Sequence, residues 1–238
     1  KSIIMIKNLN NMDNWKDLIK YGIGEVLLVV IGILIALQIN NWNENKKQRL
    51  HEIELVNLLI TDLNDRKAEN IRDREYGLGI VDDFKRTLKY WKENTDIDTT
   101  GLKKVLELLA GDNWYYHNET PTYKRLSNST LWERIPDTLA IQINNIYYTR
   151  FTVIKIRFEK TREYAASCKL DYLRPSGLIN LEQTSTDLKK KVLVEPEKFI
   201  SYLELLLVNI QRLNTVFQQS EKSIEEVVKK LYIYKNNL

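Results

Sequence analysis

The chain has 238 residues, of which 36 are basic and 32 acidic, giving a formal net charge of +4, and it contains one cysteine. That length suits one domain of about 190 residues plus an anchor. A lone cysteine excludes an internal disulfide, and interspersed charges of both signs exclude the basic stripe of a nucleic-acid binder. Glycine (8) and proline (4) are scarce while Leu, Lys, Glu, Gln and Arg are common, which predicts an all-α protein.

Residues 1–20 carry Lys1, Lys7, Lys16 and Lys20. After them, Val26 to Leu37 reads VLLVVIGILIAL, twelve residues without a polar side chain. From Tyr21 to Ile39 there is one charge, Glu25, and one amide, Gln38. At about 1.5 Å per residue this stretch spans about 28 Å, near the ~30 Å hydrocarbon thickness of a bilayer. Tyr21 and Trp42 sit where aromatic rings anchor a helix at the two membrane–water interfaces. A cleaved signal peptide would need a small-x-small site, which Ala36-Leu37-Gln38-Ile39-Asn40-Asn41 lacks. A run apolar on every face suits only the centre of a large domain or a bilayer, and the two aromatic flanks favour the bilayer. The expected division is therefore a cytoplasmic segment 1–20, a transmembrane helix 21–41 and an extracytoplasmic bundle 42–238. The four N-terminal lysines against Lys46, Lys47 and Arg49 lean toward an N-terminus inside.

Within the apolar run, Glu25, Val29, Gly32 and Ala36 fall at i, i+4, i+7 and i+11, on one helix face. Gly32 and Ala36 make a small-xxx-small pair that permits close approach of a second helix. A carboxylate within a spanning segment is costly and marks a candidate contact. Its place one turn from Tyr21 equally suits an interfacial residue among lipid headgroups.

Beyond Trp42 the pattern remains helical. Leu50, Ile53, Val56, Leu59, Ile60 and Leu63, then Ile71, Leu78, Val81, Phe84, Leu88 and Trp91, recur at helical steps, predicting one long or two collinear helices to about Asn94. Gly77 and Gly79 mark a potential kink. The 95–100 stretch breaks the pattern, and a short helix follows over 102–110. Gly111 to Pro121 (GDNWYYHNETP) is the most irregular and aromatic stretch. Trp114, Tyr115, Tyr116, His117 and Glu119 there are candidate ligand or partner contacts, since loops on rigid scaffolds often carry function. The competing reading is that their rings cap the end of a bundle. A helix over 121–127, a turn near 129–136 and a long helix over 137–173 come next. Arg174-Pro175-Ser176-Gly177 terminates that helix, and an irregular connection reaches Glu195-Pro196. Pro196 suits a first helical turn, and the last helix runs to about Tyr234 on a stripe from Phe199 to Leu231. Long helices with short connections predict an antiparallel bundle.

No chemistry stands out. The two histidines, His51 and His117, belong to no metal-spacing motif. Gly22-x-Gly24 and Gly77-x-Gly79 are too short for a dinucleotide fingerprint. Asp82-Asp83 and Glu225-Glu226 are adjacent on helices and point ~100° apart, so neither is a carboxylate pair sharing one site. Cys168 reads as a small buried apolar group. No catalytic residue, metal ligand or cofactor is expected, and the chain is not expected to be an enzyme.

The stretch from Tyr21 to Glu44, YGIGEVLLVVIGILIALQINNWNE, resembles the N-terminal signature of an uncharacterised family of single-pass membrane proteins from Bacteroidota-type Gram-negative bacteria. The likeness rests on Gly24, Glu25, Gly32, Leu37, Gln38, Ile39, Asn40, Asn41, Trp42 and Asn43. Tyr123-Lys124-Arg125-Leu126, Ile135, Leu139 and Tyr147-Tyr148 are similar to that family's middle segment. The resemblance implies a topology with the N-terminus inside and supplies no activity. Glu25 before an apolar run also looks superficially like a type IV pilin start, but the glycine directly precedes the glutamate and no β-rich head follows.

Together these features point to an interaction or scaffold component of the cell envelope, anchored in the inner membrane with a periplasmic bundle. Its partners would be membrane lipid and either further copies of itself or other envelope membrane proteins. Two other readings are a ligand sensor using Trp114–Glu119 and an accessory subunit of an ion-driven membrane complex using Glu25.

Overall fold

The computed structural model describes residues 4–93, 99–110, 114–117, 120–180 and 182–238. They contain no strand, and the all-α bundle is the observed fold. The elements are α1 (Ile4–Lys92), α2 (Thr99–Ala110), α3 (Pro121–Ser127), α4 (Asp137–Asn144), α5 (Phe151–Cys168), α6 (Ser185–Val192) and α7 (Pro196–Asn237). Two π-helical turns, Asn145–Arg150 and Lys169–Leu173, join α4 to α5 and extend α5, so 137–173 is one uninterrupted helical run. The chain divides into two compact units, Lys1–Glu54 and Leu55–Leu238.

In the first unit the apolar side chains from Ile23 to Ile39 are all exposed, by 44 to 74%. None of the most apolar stretch of α1 is buried. Among the described residues this is the one helix long and apolar enough to cross a membrane.

In the second unit α1 and α7 run antiparallel. Lys235 donates to Asn57 (3.2 Å), Lys67 pairs with Glu225 (3.4 Å), Asn70 donates to Ser220 (3.1 Å) and Arg74 pairs with Glu221 (2.8 Å). The α7 stripe is buried as its spacing predicts, from Phe199 through Leu206, Leu213 and Phe217 to Leu231. So are Leu139, Ile143, Ile146, Ile154 and Phe158 on the 137–173 run. Two apolar clusters result. One joins Leu55–Leu63 of α1 with α3, the first part of the 137–173 run and Leu213–Leu231 of α7. The other joins Ile80–Leu88 of α1 with α2, the end of that run, α6 and Phe199–Ile210 of α7. Between Leu63 and Ile80, α1 contributes no apolar side chain to either cluster. Asn70 and Gly77 are its buried residues there.

Three expectations need correction. Leu78 and Leu50 are exposed, not on the core stripe. Leu78 is turned ~100° from Gly77, and the inward positions at that level belong to Gly77, Ile80 and Val81. The connection expected to reach Glu195 contains α6. Thr184 caps it, accepting from the Asp187 backbone N–H (3.2 Å), while Leu188 and Val192, four residues apart, are buried. The last helix extends beyond Tyr234 to Asn237. The long run ends at Leu173 and the expected Arg174–Gly177 turn follows it, closed by Gly177, whose φ of 66° is the left-handed conformation that glycine adopts without strain. The break expected over 95–100 lies largely outside the described residues.

Candidate functional site

Asp62, Arg66, Glu69 and Asp73 of α1 fall at i, i+4, i+7 and i+11 and so form one polar stripe. Each of these except Glu69 meets a group from the middle of the chain. The stripe is where the aromatic loop and the π-helical turn converge.

At one end, Tyr147 donates its hydroxyl to Asp62 (2.5 Å). The π-helical turn that carries it inserts a residue into the helical repeat, and turns of this kind recur at functional sites. Here it turns both Ile146 and Tyr147 inward. Tyr123 of α3 stacks on Tyr147, with centroids 4.4 Å apart and planes at 20°, and hydrogen-bonds Asn144. Trp132 (5.9 Å) and Tyr148 (5.4 Å) meet Tyr123 edge-on, and Phe151 (5.3 Å) meets Tyr147 edge-on. Such pairs each contribute about 0.5–1.5 kcal/mol beyond area burial. Burial, with the Asp62 charge second, pushes the Tyr147 hydroxyl well above the usual phenol range. Burial also pushes Tyr123 up to about 12. Both phenols therefore stay protonated and act as hydrogen-bond donors, not as bases or nucleophiles.

At the other end lies the aromatic loop. Trp114 donates its indole N–H to Asp73 (3.0 Å) and meets Tyr76 (5.2 Å) and Phe158 (4.9 Å) edge-on. Tyr116 packs on Phe158 and Phe217, each with centroids 6.1 Å away. Arg66 donates to the His117 carbonyl (3.0 Å) and to Glu69 (3.1 Å). Burial raises the Asp73 pKa above its ordinary value, and the Trp114 hydrogen bond opposes the rise.

Of the five loop residues singled out by sequence, Trp114 and Tyr116 are therefore packing groups. Trp114 touches both apolar clusters, so it closes the middle of the bundle and does not cap its end. Tyr115 and His117 are exposed, with the Arg162 guanidinium 4.8 Å over the Tyr115 ring. Glu119 and the Tyr21 side chain lie outside the described residues. Beneath Trp114 is a cavity of about 60 Å³, lined by Phe84, Leu109, Thr161, Ala165, Leu206 and Ile210 among others. It has room for a few water-sized groups.

In the first unit, Glu25, Val29, Gly32 and Ala36 share one exposed face of α1, and a side chain at Gly32 would meet open space. Trp42 is exposed with Lys46 Nζ 5.7 Å over its ring. His51 is exposed beside Glu54 (3.8 Å). Among the described residues no group of His, Cys, Asp or Glu could hold a metal ion.

Sequence reasoning missed the Asp62–Tyr147 and Asp73–Trp114 pairs, each of which joins residues far apart in the chain. Their signal was the polar stripe itself, which interrupts the apolar pattern of α1 between Leu63 and Ile80. Tyr123 and Tyr147 were visible only through the family likeness, not through any chemical motif.

An apolar N-terminal helix and a helical bundle closed at its waist by an aromatic loop define the class: an all-α protein with an exposed apolar helical segment. The chain matches the model of a family of unknown function (DUF6090) over residues 25–209, and it belongs to that family. No curated protein and no solved structure matches it.

Proposed function

We propose that this chain is a membrane-anchored helical interaction module of the cell envelope. The 21–41 segment crosses the inner membrane, residues 1–20 face the cytoplasm and the bundle stands in the periplasm. The observation that carries the reading is the exposure of every apolar side chain from Ile23 to Ile39. A contiguous apolar surface of that length needs lipid or another protein to cover it. Its partners are lipid together with a second copy or another envelope membrane protein.

The bundle supports a binding role better than a catalytic one. Tyr147, Trp114 and Arg66 are engaged in holding the fold together. On its outer face α5 and α7 leave an open groove of about 550 Å³, rimmed by Arg157, Lys160 and Arg212 with one carboxylate, Glu204. Its apolar part includes the exposed Leu205 and Val208, which gives a partner both apolar area and charge to meet.

The test is carbonate extraction of membranes containing the full chain, with an impermeant maleimide applied to intact spheroplasts. Retention in the pellet is expected, with labelling of a cysteine at the exposed position Gln218 and none at Asn10. Release by carbonate would overturn the anchor. Labelling at Asn10 alone would overturn the orientation.

A further inference from the structure

We propose that Asn214 of α7 and Gly77 of α1 form a register lock, a close steric fit that fixes how the two longest helices of the bundle slide against each other. Asn214 is 7% exposed. Its amide nitrogen and oxygen are both fully buried, and neither has a hydrogen-bond partner among the described residues. A buried amide left unpaired is costly, and native proteins rarely keep one without a use. Gly77 faces it. A Cβ at position 77 would overlap Asn214 Oδ1 and lie 3.2 Å from its Cγ and Nδ2, so glycine is what admits this side chain.

The apolar residues alone leave the register degenerate. On α1 they recur as Val56, Leu59, Ile60 and Leu63, then Ile80, Val81, Phe84 and Leu88. On α7 they recur as Leu203, Leu206, Ile210, Leu213 and Phe217, then Ile224, Val227 and Leu231. The α7 stripe repeats at steps of three and four and α1 meets it with two separate patches, so within each patch a slide of one turn, about 5.4 Å, again sets apolar rows opposite each other. The polar positions break that degeneracy. Asn70 meets Ser220 and Arg74 meets Glu221 in only one register. A one-turn slide would replace Gly77 by Asp73 or Val81 opposite Asn214, whose amide then meets a side chain where it now meets none. Single buried asparagines are known to specify register between helices at a cost in stability.

Two variants of the full chain in detergent test the lock. Both, and the parent they are compared with, carry spin labels at Asp65→Cys and Gln211→Cys in a background of Cys168→Ala, Asn70→Ala and Glu221→Ala, which removes the other two register-specific pairs. The labelled positions are exposed and staggered along the helix axes, so a slide changes their separation. Gly77→Ala alone is expected to lower the thermal midpoint by about 5 °C, because the new methyl group overlaps the buried amide. Gly77→Ala combined with Asn214→Ala removes the amide and fills the space with matched methyl groups. It is expected to recover the original midpoint or exceed it, and to add a second spin–spin distance displaced by about 5 Å. A single distance unchanged from that of the parent in the double variant would overturn the lock. So would a Gly77→Ala midpoint equal to the parent's.

Discussion

Replacing Trp114 by Phe keeps an aromatic ring in the waist of the bundle and removes its N–H. Asp73 then loses its donor at 3.0 Å while remaining half-buried. A hydrogen bond to a charged group is worth about 1.5–3 kcal/mol when buried, and partial exposure brings this to about 1–2 kcal/mol. The smaller ring adds about 1 kcal/mol of lost apolar burial. For a unit the size of Leu55–Leu238 each kcal/mol moves the midpoint by about 2–4 °C, so the expected loss near pH 7 is about 5–10 °C.

The pH dependence separates the two parts. Asp73 is raised in the folded state above its ordinary value of 3.8, by burial first, with the Trp114 bond opposing. Above the folded pKa the charged form carries the full burial penalty. As pH falls through the folded pKa toward 3.8, the folded state takes up a proton that the unfolded state does not, and the penalty disappears. Loss of the N–H lifts the folded pKa further, enlarging the penalty at neutral pH and widening its window upward. The deficit of Trp114→Phe should therefore shrink to about a third to a half by pH 4, leaving mainly the ring term. Thermal melts followed by circular dichroism across pH 4–7, repeated in an Asp73→Asn background, make the measurement. A deficit that is constant across that range, or one that persists with its pH dependence in Asp73→Asn, would refute the reasoning.

Three further outcomes follow from the structure. Tyr147→Phe should cost about 1–2 kcal/mol, read as a midpoint lower by about 2–8 °C, because the Asp62 carboxylate loses its 2.5 Å donor. Tyr148→Phe, whose ring is 67% exposed, should change the midpoint far less in the same melts. Cys168 is fully buried, and burial pushes its thiol up to about 12. It should resist a soluble maleimide at pH 7.5 in the folded protein and react fully in denaturant; rapid labelling under native conditions would contradict its burial.

Sequence periodicity alone determined α7 with its buried stripe and the helical run over 137–173, because a 3.6-residue repeat of apolar side chains has one stable disposal, inward. It also determined the continuous apolar segment, since twelve residues apolar on every side cannot form an amphipathic surface. Where the periodic signal weakened, the reading failed. Helix α6 is short and mostly polar, and it is legible only from its Thr184–Asp187 cap. Leu78 belongs by spacing to a stripe whose inward position glycine has taken.

The site itself was beyond the sequence. Asp62, Arg66 and Asp73 look like residues of a solvated helix face, and nothing local distinguishes them from Asp65 or Glu75. Only the tertiary structure decided that Tyr147 and Trp114 reach them, because hydrogen bonds between residues 85 and 41 positions apart are set by how the helices pack. The same holds for Gly77 and Asn214. The sequence marks Gly77 only as a potential kink and gives Asn214 no signal at all, and the antiparallel register of α1 and α7 turns them into a single buried contact.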